Sequence, residues 1–406
     1  MELTTGTPFW LTQHGLPPHY PTLTEDLDCD VAVLGAGISG ALVSDALTAA
    51  GQRVVVLDKH YPGTGATSAS TALLQFEVDV MLRDLRLRYS DADRADAAWR
   101  AVYDGYQRLQ QKIGSLGQDA ALGYQRTTSL YLASKKREVR ELELEAAARQ
   151  QLALPSEFLP AAAVAARYGI ERPGALLSHE AAQVDALRLA LALHARATRG
   201  GARLFERTEA VAYAADATGV TLTTAHNFRV RARQVVVCTG YETPHWVGGI
   251  RADLRSSFAL VTEPLLAADR WPTDCHIWET ARPYVYARVL PNGRVMAGGA
   301  DLPFDNVAAR GALLQRRTEQ LFRHLREVLP HLPNRIDFRW AGTFAETADG
   351  MPYISRHRRF PHTWFALGFG GNGIVFASLA ADLITAALTG NERAETALFA
   401  FDRPGL

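Results

Sequence analysis

The feature that most restricts what this chain can fold into is an apolar run, Val31 to Leu34, that passes directly into Gly35-Ala36-Gly37-Ile38-Ser39-Gly40 and then into a stretch rich in Ala and Leu. Strand, glycine turn and helix in immediate succession predict a dinucleotide-binding βαβ unit, and a second apolar run, Arg53 to Leu57, supplies its next strand. The spacing gives each glycine a task. Gly35 permits the tight turn, Gly37 lets backbone approach a pyrophosphate, and Gly40 lets helix and strand pack closely. Phosphates would rest on the helix N-terminus, where free N–H groups and the dipole favour negative charge. Asp58, followed by Lys59 at the end of the second strand, is placed to accept hydrogen bonds from ribose hydroxyls. Its carboxylate would repel a 2′-phosphate, which disfavours NADP. The alternative is a glycine-rich turn that holds no ligand.

Three further segments add contacts beyond those an NAD site needs and so favour FAD. The small, hydroxyl-rich loop Gly63 to Glu77 offers Thr67, Ser68, Ser70, Thr71, Leu73 and Leu74 to a pyrophosphate and ring edge; otherwise it is a surface loop. The buried run Gln234 to Gly240 ends in Thr239-Gly240, where backbone could reach a cofactor. The cluster Gly368 to Gly373 opens the last helix, so that Gly370, Gly371, Asn372, Gly373 and Ile374 aim a positive helix end at an anion. Pointed at the isoalloxazine N1/C2 edge, it would stabilise the charge that hydride acceptance places there. A plain strand-to-helix turn is the other reading. Val211 and Gly342 complete the candidate cofactor contacts.

At 406 residues the chain exceeds what one core usually serves, so two domains are expected. Residues 1–85, 151–243 and 341–406 are assigned to a Rossmann-like α/β FAD-binding domain, and 86–150 and 244–340 to an antiparallel-sheet substrate domain. In the latter, segments around Phe258, Trp278 and Tyr286 read as strands, with a turn at Pro291-Asn292-Gly293. Residues 80–116 read as a long surface helix with a capping box at Ser90 and Asp93, and residues 134–150, with Glu141, Glu143 and Glu145, as a helix with a solvated charged face. Asp185 is expected to cap the helix that follows it.

Lys plus Arg and Asp plus Glu both total 43, so no global field attracts nucleic acid or an anionic membrane. Cys29, Cys238 and Cys275 fit no metal-ligand spacing. Without a basic start followed by an apolar segment, and without a long apolar span, the chain reads as cytoplasmic.

The segments GATSASTALL, VVVCTGYE, YARVLPNGRVMAGGAD, WAGTFAETADGMPYI and GFGGNGIVFA make the chain resemble the D-amino-acid-oxidase-like superfamily, with its glycine, sarcosine and γ-glutamylputrescine oxidases, over nearly its whole length. The resemblance implies non-covalent FAD and hydride transfer from the carbon bearing nitrogen in a small amine or amino acid to flavin N5. An imine results and hydrolyses, and electrons pass to oxygen or another acceptor. In glycine oxidases the segment like Trp340 to Phe344 ends in an arginine that pairs with the substrate carboxylate; here Phe344 stands there. Arg282, Arg288 and Arg339 are candidate replacements. The cysteine that attaches FAD in sarcosine oxidases is missing, as is their oxygen-activating lysine, where Val295 and Met296 stand instead.

Tyr284, Tyr286 and Arg288 share one strand face by the period of two. Tyr286 and Arg288 are the candidate catalytic residues; a half-exposed sheet is the alternative. Trp340 either walls a pocket or fills core, and His245 and Trp246 follow the Thr239-Gly240 turn. Competing functions are a quinone-linked dehydrogenase at a membrane and a non-catalytic FAD-binding protein. A reductase fed by NAD(P)H is disfavoured, because neither a second glycine motif nor a redox CxxC is present.

Overall fold

The computed structural model describes residues 2–15, 17–89, 91–245, 247–248, 250–266, 271, 275–332 and 335–403. Ser90 and Trp246, and the side chain of His245, lie outside the described residues.

Among the described residues the strands form two sheets, one of eight and one of ten. The eight-stranded sheet is built on Leu27–Leu34, which pairs in parallel with Val54–Leu57 on one side and Arg229–Val237 on the other. Val31 and Val33 pack into one core cluster, Cys29 and Ala32 into another. With both faces covered, such a strand needs a continuous apolar run rather than alternation. Three helices, Ile38–Ala49, Ala186–Arg199 and Gly373–Leu388, pack together over one face. Asp185 caps the second of them, its carboxylate accepting from the Arg188 N–H at 3.0 Å.

The ten-stranded sheet is assembled from distant stretches, including Thr4–Gly6, Leu73–Gln75, Gln125–Leu132, Gly174–Gln183, Asp253–Thr262, Val295–Leu302 and Ile336–Glu346. Its pairings are antiparallel except that His276–Glu279 runs parallel to Ser129–Leu132. The strands Ser156–Pro160 and Gly174–Gln183 belong to this sheet, although they fall in the stretch assigned with the dinucleotide unit. A 22-residue helix, Val307–Val328, covers one face, capped by Asn306 and burying Thr318, Leu321, Phe322, Leu325 and Val328 at helical spacing. The other face looks toward the eight-stranded sheet across a long chamber.

Two expectations change. The segment 80–116 forms two helices, Leu82–Tyr89 and Ala92–Gly114, and the longer is not a surface helix. It buries Ala95, Trp99, Val102, Tyr106, Leu109 and Ile113, and its cap is Asp91, which accepts from the Arg94 N–H at 3.1 Å. Glu145 is not solvated. It is fully buried, ion-paired with Arg149 at 2.8 Å, and accepts from the N–H groups of Leu82 and Arg83 at 3.0 and 3.1 Å. A short helix presents unpaired N–H groups at its start, and a carboxylate four residues from an arginine satisfies them without leaving its own charge bare.

Candidate active site

The chamber between the sheets has a volume of about 880 Å³, toward the upper end of the roughly 300–1,000 Å³ usual for ligand sites. One end is made by the glycine turn. Gly35 has φ +100°, and a Cβ there would lie 2.6 Å from the Cys238 carbonyl oxygen. A Cβ on Gly40 would lie 1.9 Å from the Gly35 carbonyl oxygen, so no larger residue fits while helix and turn keep their distance. At Gly37 the nearest obstacle is only the Thr67 hydroxyl at 3.0 Å, and the position opens on the chamber. Thr67 also accepts from the Ile38 N–H at 2.9 Å, tying the hydroxyl-rich loop to the start of the helix.

Asp58 lines the chamber as expected for a ribose contact, but its carboxylate already accepts from the N–H groups of Ala36 (2.6 Å) and His60 (2.7 Å). Burial raises its pKa against the pull of those two donors. Lys59 forms an ion pair with Glu242 at 2.8 Å, and both line the chamber.

Ile38, Ser39, Ser70, Thr71, Leu73, Val211, Thr239, Gly240, Gly342, Gly370, Gly371, Asn372, Gly373 and Ile374 also face the chamber. Four expected contacts do not. Ala36 and Gly40 are buried behind the turn, Leu74 alternates into the core, and the Ser68 hydroxyl turns back to donate to the carbonyls of Thr64 and Gly65. At the last helix, the Gly371 N–H donates to Asp79 at 2.8 Å. An anion of the protein itself, rather than a flavin edge alone, therefore sits at that helix end.

The far end of the chamber is aromatic. Trp278, Tyr284, Tyr286, Phe344 and Trp340 project from the ten-stranded sheet, with Ser257 among them. Tyr286 lies across Gly298, where a Cβ would come within 2.1 Å of its hydroxyl oxygen. Trp278 stacks on Tyr131 at 3.7 Å and donates from Nε1 to the Ser129 hydroxyl at 2.9 Å. Burial pushes the Tyr286 phenol up to about 12, which keeps it a neutral hydrogen-bonding group.

Arg288 is not in the chamber wall, which corrects its assignment as a catalytic candidate. It shares the strand face of Tyr286 but lies further along, fully buried, with its guanidinium near the Trp10 ring. Its two terminal nitrogens donate to the carbonyls of Ala72 (3.1 Å) and Val184 (3.0 Å). Burial depresses its pKa to about 9. Trp10 and Trp340 donate to the adjoining carbonyls of Ser70 (2.7 Å) and Ala69 (2.9 Å), so three side chains pin the loop that carries Ser70 and Thr71. Arg282 is exposed, and neither it nor Arg339 lines the chamber; among the described residues lining the chamber none is an arginine.

Sequence reasoning missed two residues. Asp79 was hidden in an apolar stretch. His194, on the helix Ala186–Arg199, holds the glycine turn by donating from Nε2 to the Ala36 carbonyl at 3.1 Å; burial lowers its pKa to about 4, so the ring is neutral.

A sheet with a parallel centre that presents a glycine cradle at one end of a long chamber, roofed by a second sheet, defines a dinucleotide-binding oxidoreductase. The chain belongs to the DAO family of FAD-dependent oxidoreductases, whose profile matches residues 30–387. It is 26% identical over 388 residues to γ-glutamylputrescine oxidoreductase from Escherichia coli (strain K12), covering 92% of this chain and 86% of the relative. It is 26% identical over 380 residues to glycine oxidase from Bacillus licheniformis, covering 89% and 93%. The crystal structure of glycine oxidase from Geobacillus kaustophilus superposes with a TM-score of 0.75 at 22% identity, covering 93% of this chain and 99% of that one. The cradle fits FAD on its own geometry: Gly35 and Gly40 leave no room for a Cβ, and Gly37 leaves the chamber side of the turn open.

Proposed function

We propose that the chain oxidises a small amine or amino acid at the carbon bearing nitrogen. The observation that carries this reading is the aromatic end of the chamber, where Trp278, Tyr284, Tyr286 and Phe344 line the same space as the glycine cradle. The names of the relatives, a glycine oxidase and a γ-glutamylputrescine oxidoreductase, support the same chemistry. Bound FAD supplies a two-electron acceptor for hydride. The residues of the chain then need to orient a substrate and exclude water rather than supply an acid-base dyad. Gly37, Thr67 and the helix that begins at Ile38 hold the phosphates, the pinned loop Ser70–Leu73 lies along the chamber, and the aromatic wall positions the substrate. Binding is non-covalent in this reading, and the electrons leave to oxygen or to another acceptor.

The test is the visible spectrum of the purified protein under anaerobic conditions with D-amino acids, N-methyl amino acids, glycine and polyamines. Loss of the oxidised-flavin band on adding one of them is the expected result. A flavin that none of them reduces would overturn the amine reading, and the rate of recolouring in air distinguishes an oxidase from a dehydrogenase.

A further inference from the structure

At the aromatic end of the chamber the lining carries a carboxyl group, that of Asp79, and among the described residues no arginine or lysine. Asp79 faces that end, with open surface on the chamber side and protein packed deeply around it. Its Oδ2 is fixed by the Gly371 N–H at 2.8 Å. A Cβ on Gly371 would lie 2.9 Å from Oδ1, and one on Gly370 would lie 3.3 Å from Oδ2, so the two glycines keep the space that Asp79 occupies. Asp301 stands behind the wall, next to Ser257 and Tyr284, with a buried Oδ1 that has no hydrogen-bond partner among the described residues. Burial raises the pKa of both carboxyls, and the charge of Asp79 raises that of Asp301. No nearby arginine lines the chamber; Arg282, whose charge acts on Asp79, is exposed outside it. Arg255 pairs with Glu346 at 2.5 Å, Arg288 serves backbone carbonyls, and Arg282 lies on the exposed side of the Tyr284 ring, 5.1 Å from its centroid. A fixed carboxylate beside Trp278, Tyr284 and Tyr286 is the composition that recognises an ammonium ion, because aromatic faces attract cations, while an unpaired carboxylate brought against it would be repelled.

Resting on the reading of the chain as an amine or amino-acid oxidoreductase, we infer that its substrate is an amine with no carboxylate on the reacting carbon, and that Asp79 is the residue that selects it by its positive charge. The experiment uses the FAD-loaded protein and matched pairs that differ only by that carboxylate: butylamine and norvaline, 1,4-diaminobutane and ornithine, dimethylamine and N-methylglycine. Under anaerobic conditions the amine of a pair should reduce the flavin and its carboxylated partner should not. In parallel, tert-butylammonium, which keeps its N–H donors but has no hydrogen on the carbon bearing nitrogen and so cannot be oxidised there, and butyrate are titrated against the flavin spectrum. The cation should bind and the anion should not, and Asp79→Asn should weaken the cation about ten- to a hundredfold, the worth of a charged hydrogen bond, with FAD content unchanged. Asp79→Ser gives the same reading should the Asn variant lose FAD. Reduction by the amino acids alone, or cation binding that both variants leave intact, would overturn the inference while sparing the oxidoreductase reading. If no pair reduces the flavin, the amine reading fails and the two titrations still decide whether the site prefers a cation.

Discussion

The two ends of the chamber are built by different means. The phosphate end is made largely of backbone from one contiguous segment, where Gly35, Gly37 and Gly40 work by the absence of a side chain. The aromatic end is made of side chains delivered by separate strands of the larger sheet, with Trp278, Tyr284 and Tyr286, Ser257, and Phe344 each arriving from a different stretch of sequence. An anion cradle can be local, because its donors are successive N–H groups at one helix end. A shaped pocket for a small molecule cannot, because its walls must come from several directions.

That contrast can be broken most severely at Gly40. Gly40→Val places atoms inside the Gly35 carbonyl, so the turn should collapse, with FAD lost and the apo melting temperature lowered. Gly37→Val meets only a hydroxyl and should leave a folded but colourless protein. Full FAD occupancy in Gly37→Val would remove that position from the phosphate site.

At the other end, Gly298→Val would drive Tyr286 off the sheet. FAD should remain, and substrate reduction of the flavin should fall about a hundredfold, the cost of a displacement on the order of 1 Å in a reactive site. Loss of FAD instead would mean that the two ends are not separable. Arg288→Met sharpens the comparison from between them. It leaves the carbonyls of Ala72 and Val184 without their donors, at a cost of about 2–5 kcal/mol in chemical denaturation. The rate of flavin reduction in the FAD that remains bound should change little, and a selective loss of that rate would restore Arg288 to the substrate site.

The smallest effect is one of pH. His194 is neutral in the folded protein, with its pKa lowered to about 4 from an ordinary 6.5. Folding therefore disfavours its protonation, so its contribution is complete above about pH 6.5 and is lost as pH falls toward 4, up to about 3 kcal/mol. Asp58, Asp79 and Asp301, whose pKa values burial raises, act with the opposite sign. Comparison with His194→Gln isolates the histidine: the variant should be less stable at pH 7 and lose less between pH 6.5 and 4. Parallel pH curves for the two proteins would exclude His194 as the source.

Much of the phosphate end was legible because strand, turn and helix are local, and a glycine's role follows from neighbours within a few residues. Even there, the reading could not tell that Ser68 turns its hydroxyl back into its own loop, since that depends on rotamer and packing. Tyr286 was found from its alternation along one strand, and the same alternation misled at Arg288. Period two fixes the face of a sheet, but how far a chamber extends along that face is set by what covers it, here Trp10 and the segment around Ala72. Asp79 and His194 gave no signal because each acts on a residue far away in sequence.

By itself the sequence determined the dinucleotide cradle, the continuous apolar strands beside it and the absence of an arginine at position 344, because local backbone geometry and side-chain identity need no partner to be read. Only the tertiary structure decided that Arg288 is a prop, that Glu145 is buried, and that Asp79 faces the chamber beside an aromatic wall. Charge in a protein acts through space, and which charges meet, and how much water they keep, is fixed only when distant strands are brought side by side.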